Sequence, residues 1–247
     1  MMTKILLIFI QSTSWFLVFS QTRGNNSYEE QRIEELGFID RLSEFIPWTE
    51  KYWYSEFRDG YVFYVSHKQS NVTKLNFNRY RSLISMIDEK GDTVFVANFE
   101  IIKYILIDKD LYYHDRQKGY FEILTNPNDS VRLCVQRQLN ILNPEVLKDH
   151  EKPTSSSTGK SFSVIYVPRN PTLPREKVTL SRDAIFYLMK GNNEILIAKK
   201  SSFFKLFPTH KEQIDSYLSQ QAKQRIPIKF YMEEDLKKLL SFCLGLS

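Results

Sequence analysis

Asp108, Asp110, His114, Asp115 and Glu122 fall within seventeen residues, in the stretch IDKDLYYHDRQKGYFEI at 107–123. Carboxylates and a histidine at this density are the residue types that hold a divalent metal or exchange protons with a substrate. Spacing decides whether they can act together. An adjacent His-Asp pair can serve one metal ion when a helix carries it. Here the surroundings alternate with a period of two and include Tyr112 and Tyr113, which predicts strands. Neighbouring strand residues point to opposite faces, so His114 and Asp115 diverge. Asp110 and His114 share a face but stand roughly 13 Å apart along it. The stretch therefore reads as two strands around an RQKG turn. His114 is kept as a candidate ligand contact, and no catalytic residue, metal ligand or cofactor is assigned.

The remaining chemistry is sparse. His67, His150 and His210 have no Cys, His or carboxylate at metal-ligand spacing. No G-x-S-x-G elbow occurs, and neither cysteine has a catalytic context. STGKS at 157–161 lacks the first glycine of a phosphate loop and lies in a polar stretch. DEKGD at 88–92 lacks the ligand pattern of a calcium loop and reads as a hairpin turn closed by Gly91. LNFNRY at 75–80 offers Asn76, Asn78 and Arg79 as a polar face for a sugar or peptide, although a half-buried strand explains the alternation more simply. Trp48 and Trp53 offer a ligand platform, against the simpler role of packing a helix onto a sheet.

These residues need elements to position them. Ile33, Leu36, Ile39, Leu42 and Ile46 predict an amphipathic helix over 28–46. From residue 60 onward short alternating runs recur about every ten residues with turn residues between them, the signature of an antiparallel meander. Residues 149–160 are polar and rich in Ser and Thr, which predicts an exposed linker or long loop. SFSVIYV, KVTL, AIFYLM and EILIA are the later strand candidates. A helical segment is expected over about 200–247. Thr209 and Glu212 form a capping-box pattern, and Leu236, Leu239, Leu240 and Cys243 form an apolar stripe. The expected fold is α+β: a meander able to curl into an open half-barrel, with an N-terminal helix and two C-terminal helices packed on it.

The chain begins MMTKILLIFIQSTSWFLVFSQ, where Lys4, an apolar run and small Val18 and Ser20 predict a signal peptide over 1–20. The rest, 21–247, is expected to form one β-rich domain, exported to the periplasm or secreted, with no membrane-spanning segment. Residues 21–159 hold 18 Lys and Arg against 21 Asp and Glu, net −3; residues 160–247 hold 15 against 8, net +7. A basic C-terminal third suits anionic lipid or an acidic protein partner, and export argues against nucleic acid. Cys134 and Cys243 are the two cysteines. Export permits a bridge between them, while the apolar stripe around Cys243 suits a buried free thiol.

DGYVFY at 59–64, LNFNRY, GDTVFVANFEI at 91–101, GYFEIL at 119–124 and the tail from Lys199 to Leu240 together resemble uncharacterised secreted proteins common in Bacteroidota-type Gram-negative bacteria. The resemblance covers most of the chain after the leader and implies an envelope location and a β-rich fold with C-terminal helices. It carries no established activity. The leading expectation is a non-enzymatic envelope protein that binds a protein partner. A carrier of lipid or small apolar ligands, and a hydrolase of envelope polymers, are the alternatives.

Overall fold

The computed structural model describes residues 42–96, 99–142, 158–168, 175–191 and 194–246. They all belong to one compact unit, Arg41–Ser247. The leader at 1–20, the predicted helix before residue 42 and the loop at 149–157 lie outside them.

Residues 42–45 are helical, and Pro47 opens a one-turn helix α1 (Trp48–Lys51). The strands that follow are β1 (Arg58–Tyr64), β2 (Thr73–Asn78), β3 (Leu83–Ile87), β4 (Thr93–Phe95), β5 (Ile102–Ile107), β6 (Asp110–Asp115) and β7 (Gly119–Ile123). The chain continues with β8 (Val131–Leu142), β9 (Thr158–Pro168), β10 (Arg175–Lys190) and β11 (Glu194–Ile197). Every pairing is antiparallel, in the order β11-β10-β8-β7-β6-β5-β1-β2-β3-β4. Three helices close the chain: α2 (Lys200–Leu206), α3 (Lys211–Lys223) and α4 (Glu233–Gly245). The architecture is α+β with an open antiparallel sheet, as the alternation predicts.

Turn chemistry sets the register. In the β3–β4 turn Asp88 Oδ1 accepts from the Lys90 and Asp92 amides at 2.9 and 2.8 Å, and Gly91 takes φ +87°. In the β6–β7 turn Asp115 Oδ1 accepts from the Gln117 and Lys118 amides, and Gly119 takes φ +84°. The carboxylate-rich stretch is therefore a hairpin, and Asp115 belongs to its turn. Gly60 answers a different demand, since β5 and Leu75 crowd the place its side chain would occupy.

Val62, Ile105, Tyr112, Glu122, Val135 and Phe186 stand in register across β1, β5, β6, β7, β8 and β10, so they share one face. At one end of this face Tyr54, Leu75, Phe77, Ile84, Ile105 and Tyr112 form a core. At the other, Leu133, Val135, Phe186 and Leu188 pack against Phe203 and Ile214 and the Leu236, Leu239 and Leu240 stripe. These burials are worth about 1.5–3 kcal/mol each. On the opposite face Phe121, Ile123, Cys134, Met189 and Ile195 cluster. The sheet also rolls. Leu139 of β8 donates its amide to the Arg79 carbonyl beside β2 at 3.0 Å, although four strands lie between them in the order.

Several local expectations need correction. KVTL and AIFYLM are one continuous strand, because β8 supports β10 from Thr179 to Lys190 without a break. Residues 158–160 belong to β9, paired with Asp183, Ala184 and Ile185, so the polar loop ends before them. The capping box does not form: Thr209 is inside a 3₁₀ turn (Pro208–His210), His210 precedes α3, and no side chain caps that helix. Of the two readings left open for the cysteines, the structure shows the one without a Cys134–Cys243 bridge. Cys134 points away from the face on which Leu133 and Val135 meet the cluster of Cys243, and both are buried thiols outside any disulfide.

Candidate functional site

Residues 48–56 lie along the end of β2, held there by β2 itself. The Arg79 amide donates to the Lys51 carbonyl at 2.8 Å and the Trp53 amide to the Phe77 carbonyl at 2.9 Å. Asn76 uses its whole amide on this segment: Oδ1 accepts from the Tyr54 amide, and Nδ2 donates to the Tyr54 and Glu56 carbonyls at 3.0 and 3.1 Å. Asn78 Oδ1 accepts from the Arg81 amide at 3.0 Å. Both asparagines are buried, and Asn76 spends all of its side-chain polar atoms on the segment that carries Trp53. Trp48 packs against Tyr52 with tilted rings, centroids 4.2 Å apart, outside the site that Trp53 enters.

That site is a cleft of about 300 Å³ lined by Trp53, Arg79, Arg137, Lys160, Arg182 and Asp183 among others. The Arg137 and Arg79 guanidiniums stand 4.0 and 5.6 Å from the Trp53 ring centroid. Arg137 Nε lies 2.8 Å from Glu122 Oε2, and Arg182 Nε lies 2.8 Å from Glu50 Oε2. Two of the three arginines thus have a carboxylate. Arg79 differs. It is 8 % exposed, its Nη2 donates to the Thr49 carbonyl, and its Nε has no partner among the described residues. Burial pushes its pKa down from the ordinary value, and the nearby Arg182 and Arg137 push the same way against Glu50.

A buried polar chain lies nearby on the shared face. The Tyr54 hydroxyl donates to Asp110 Oδ2 at 2.7 Å and meets the Tyr112 hydroxyl at 2.9 Å. Burial raises both phenols well above the usual tyrosine range, so they act as hydrogen-bonding groups and not as bases. Burial also raises the Glu122 carboxyl, with Arg137 opposing. His114 packs edge-on against Tyr120 at 4.7 Å, and burial lowers its imidazole below the ordinary 6.5. His67 follows the end of β1 that pairs with Ile102, whereas Asp110 sits beside Ile107 at the other end. Among the described residues no group of three His, Cys, Asp or Glu is placed to hold a metal ion.

Of the sequence candidates, the structure brings Trp53 and Arg79 together in the cleft and leaves Trp48 and His114 apart. Sequence reasoning missed Arg137, Arg182 and Lys160. A signal for two of them existed. The row Val131, Leu133, Val135, Arg137, Leu139 and the row Val178, Leu180, Arg182, Ala184, Phe186 each place one arginine in an otherwise apolar inward series.

Two other surfaces stand out. On β9, Phe162, Val164 and Tyr166 are 52, 44 and 62 % exposed and share one face, and among the described residues the strand pairs only with β10. Between β1 and β4 lies an apolar cleft of about 650 Å³, with Val62, Tyr64, Val72, Met86, Phe95 and Ile101 in its walls. No described helix is long and apolar enough to cross a membrane. Comparison with family models, curated proteins and solved structures finds no match to this chain.

Proposed function

We propose that this chain is an exported, non-enzymatic binding protein of the bacterial envelope that takes up an extended, acidic segment of a partner protein along β9. The observation that carries the reading is the exposed row Phe162, Val164 and Tyr166 on β9, a strand that among the described residues is paired along one edge, by β10. An added strand is held by backbone hydrogen bonds at such an edge, and alternate side chains on the neighbouring strand give it selectivity. The net +7 of residues 160–247 supports an acidic occupant. The resemblance to secreted Bacteroidota-type proteins supports the envelope location and belongs to the same proposal.

The test is cross-linking in the native envelope from a photoreactive residue at Phe162 or Tyr166, with the attached peptide sequenced. An acidic, extended peptide of another protein is the expected product. Cross-links to a second copy of this chain, or none, would remove the reading. Tyr166→Pro on the same background should abolish the product, because proline cannot donate to an added strand and distorts the edge.

A second reading, a carrier of small apolar ligands, is favoured by the cleft between β1 and β4. Native mass spectrometry of gently purified protein distinguishes it by a lipid-sized adduct that Met86→Trp displaces.

A further inference from the structure

We infer that the loop between α3 and α4, residues 224–232, docks on an anionic membrane surface, with lipid phosphates seated among Arg225, Lys229 and Lys238. The inference goes beyond the β9 reading and does not rest on it.

The loop sorts its apolar residues onto two sides. Ile228 and Phe230 turn inward and pack against the cluster of Phe203 and Leu236. Ile226, Tyr231 and Met232 turn outward and are 59, 45 and 45 % exposed. The way α3 ends places Ile226. The Arg225 amide donates to the Ala222 carbonyl and the Ile226 amide to the Gln221 carbonyl, each at 3.1 Å, with Arg225 at φ +62°. In this C-terminal motif the residue at the place of Ile226 ordinarily packs on the one at the place of Gln221. Gln221 is polar and Ile226 stays exposed, so the isoleucine is displayed and does not close the helix. A second clasp holds the other end. Asp235 Oδ2 accepts from the Lys229 amide at 2.9 Å, and the Met232 amide donates to the Lys229 carbonyl at 3.0 Å.

Charge completes the surface. Beside the outward residues lies a cleft of about 290 Å³ lined by Arg225, Ile226, Lys229, Asp235 and Lys238 among others. Its three cations enter no ion pair among the described residues. Its one carboxylate is the group that accepts from the Lys229 amide. Of the carboxylates next in sequence, Glu233 is paired with Lys237 at 2.7 Å, and Glu234 is exposed. A membrane interface offers phosphates and acyl chains within a few ångströms of each other, which matches cations and apolar side chains interleaved along one loop. Tyr231 suits the same boundary, with an apolar ring and a polar tip.

The experiment sediments the mature chain, freed of its apolar leader, with two kinds of vesicle. One is phosphatidylcholine alone, and in the other about one-third of the lipid is phosphatidylglycerol. Binding is expected to the second alone, weakening as salt is raised. Lys229→Glu should weaken it at least about tenfold, and so should Ile226→Ser combined with Met232→Ser, with Tm unchanged in both. Lys211→Glu makes the same charge change at the other end of α3 and should weaken binding less than about threefold. Equal binding to both vesicles, equal losses in Lys211→Glu and Lys229→Glu, or no loss in the apolar double variant would overturn the inference. So would a saturable rise of Tm in inorganic phosphate with no vesicle binding, which would mark a site for the free ion.

Discussion

The guanidinium carbon of Arg137 lies 4.0 Å from the Trp53 ring centroid, while its Nε holds Glu122 at 2.8 Å. One side chain thus joins the segment after α1 to the middle of the sheet. The pair is largely withdrawn from water, with side-chain exposures of 16 and 10 %. Arg137→Leu should therefore destabilise the protein by about 3–5 kcal/mol, since it leaves Glu122 buried and unpaired. Adding Glu122→Gln to that background should recover a large part of the loss. Urea unfolding followed by circular dichroism measures both, and equal losses in the single and double variants would refute the pairing account.

Glu122 also gives stability a pH dependence of defined sign. Its folded pKa is raised from the ordinary 4.5, chiefly by burial. The folded state holds this proton more tightly than the unfolded chain does. The associated stability is therefore full below 4.5 and declines as pH rises through the higher folded value. The difference in unfolding free energy between wild type and Glu122→Gln should shift against the wild type across that window. A difference independent of pH would show that Glu122 titrates normally.

Both thiols should be inert in the folded protein. Cys134 and Cys243 are buried, and burial pushes each pKa up to about 12, leaving little thiolate at pH 8. Reaction with a thiol reagent should follow the unfolding rate and yield two equivalents in denaturant. Recovery of none without reductant would mean that the chain had bridged them.

Two glycines separate crowding from backbone strain. A methyl group at Gly60 would meet the Leu106 carbonyl oxygen and stand 2.8 Å from Leu75 Cδ1. Gly60→Ala should cost at least about 2 kcal/mol. At Gly91 nothing lies within 4 Å, but φ is +87°. Gly91→Ala should cost about 1 kcal/mol, from conformation alone. The reverse order in a denaturation series would contradict the packing at β1 and β5.

The strand pattern was legible because β-branched and aromatic residues alternate with polar ones within each run. β2 takes in the LNFN of LNFNRY, and β6 lies within the stretch IDKDLYYHDRQKGYFEI. The hairpin at 107–123 was legible for the same reason, together with Asp115 and Gly119 at its turn. The rolled arrangement that brings Arg79 to β8 was not legible, since the Leu139–Arg79 contact depends on sheet twist accumulated over several strands. Nor could alternation show which arginines would find carboxylates. Arg182 meets Glu50 across 132 residues of chain. The asparagines of LNFNRY were ambiguous because a polar residue that braces a neighbouring loop looks, in sequence, like one that faces a ligand.

The position of β10 has a consequence for how the chain acquires its structure. One edge of β10 carries β8, and the other carries β9 and then β11. The hairpins β2–β3 and β5–β6–β7 can zip from local turns as they emerge. β9 zips onto β10 in the same way, since Pro168 pairs with Arg175, but β8 has no such route, because its pairing runs from Leu142–Thr179 to Val131–Lys190. Pairings of this sequence separation close slowly. During synthesis the β10-facing edge of β8 therefore waits unsatisfied until β10 has formed. That interval is when the chain is most prone to pair with the wrong strand and gains most from a holding chaperone.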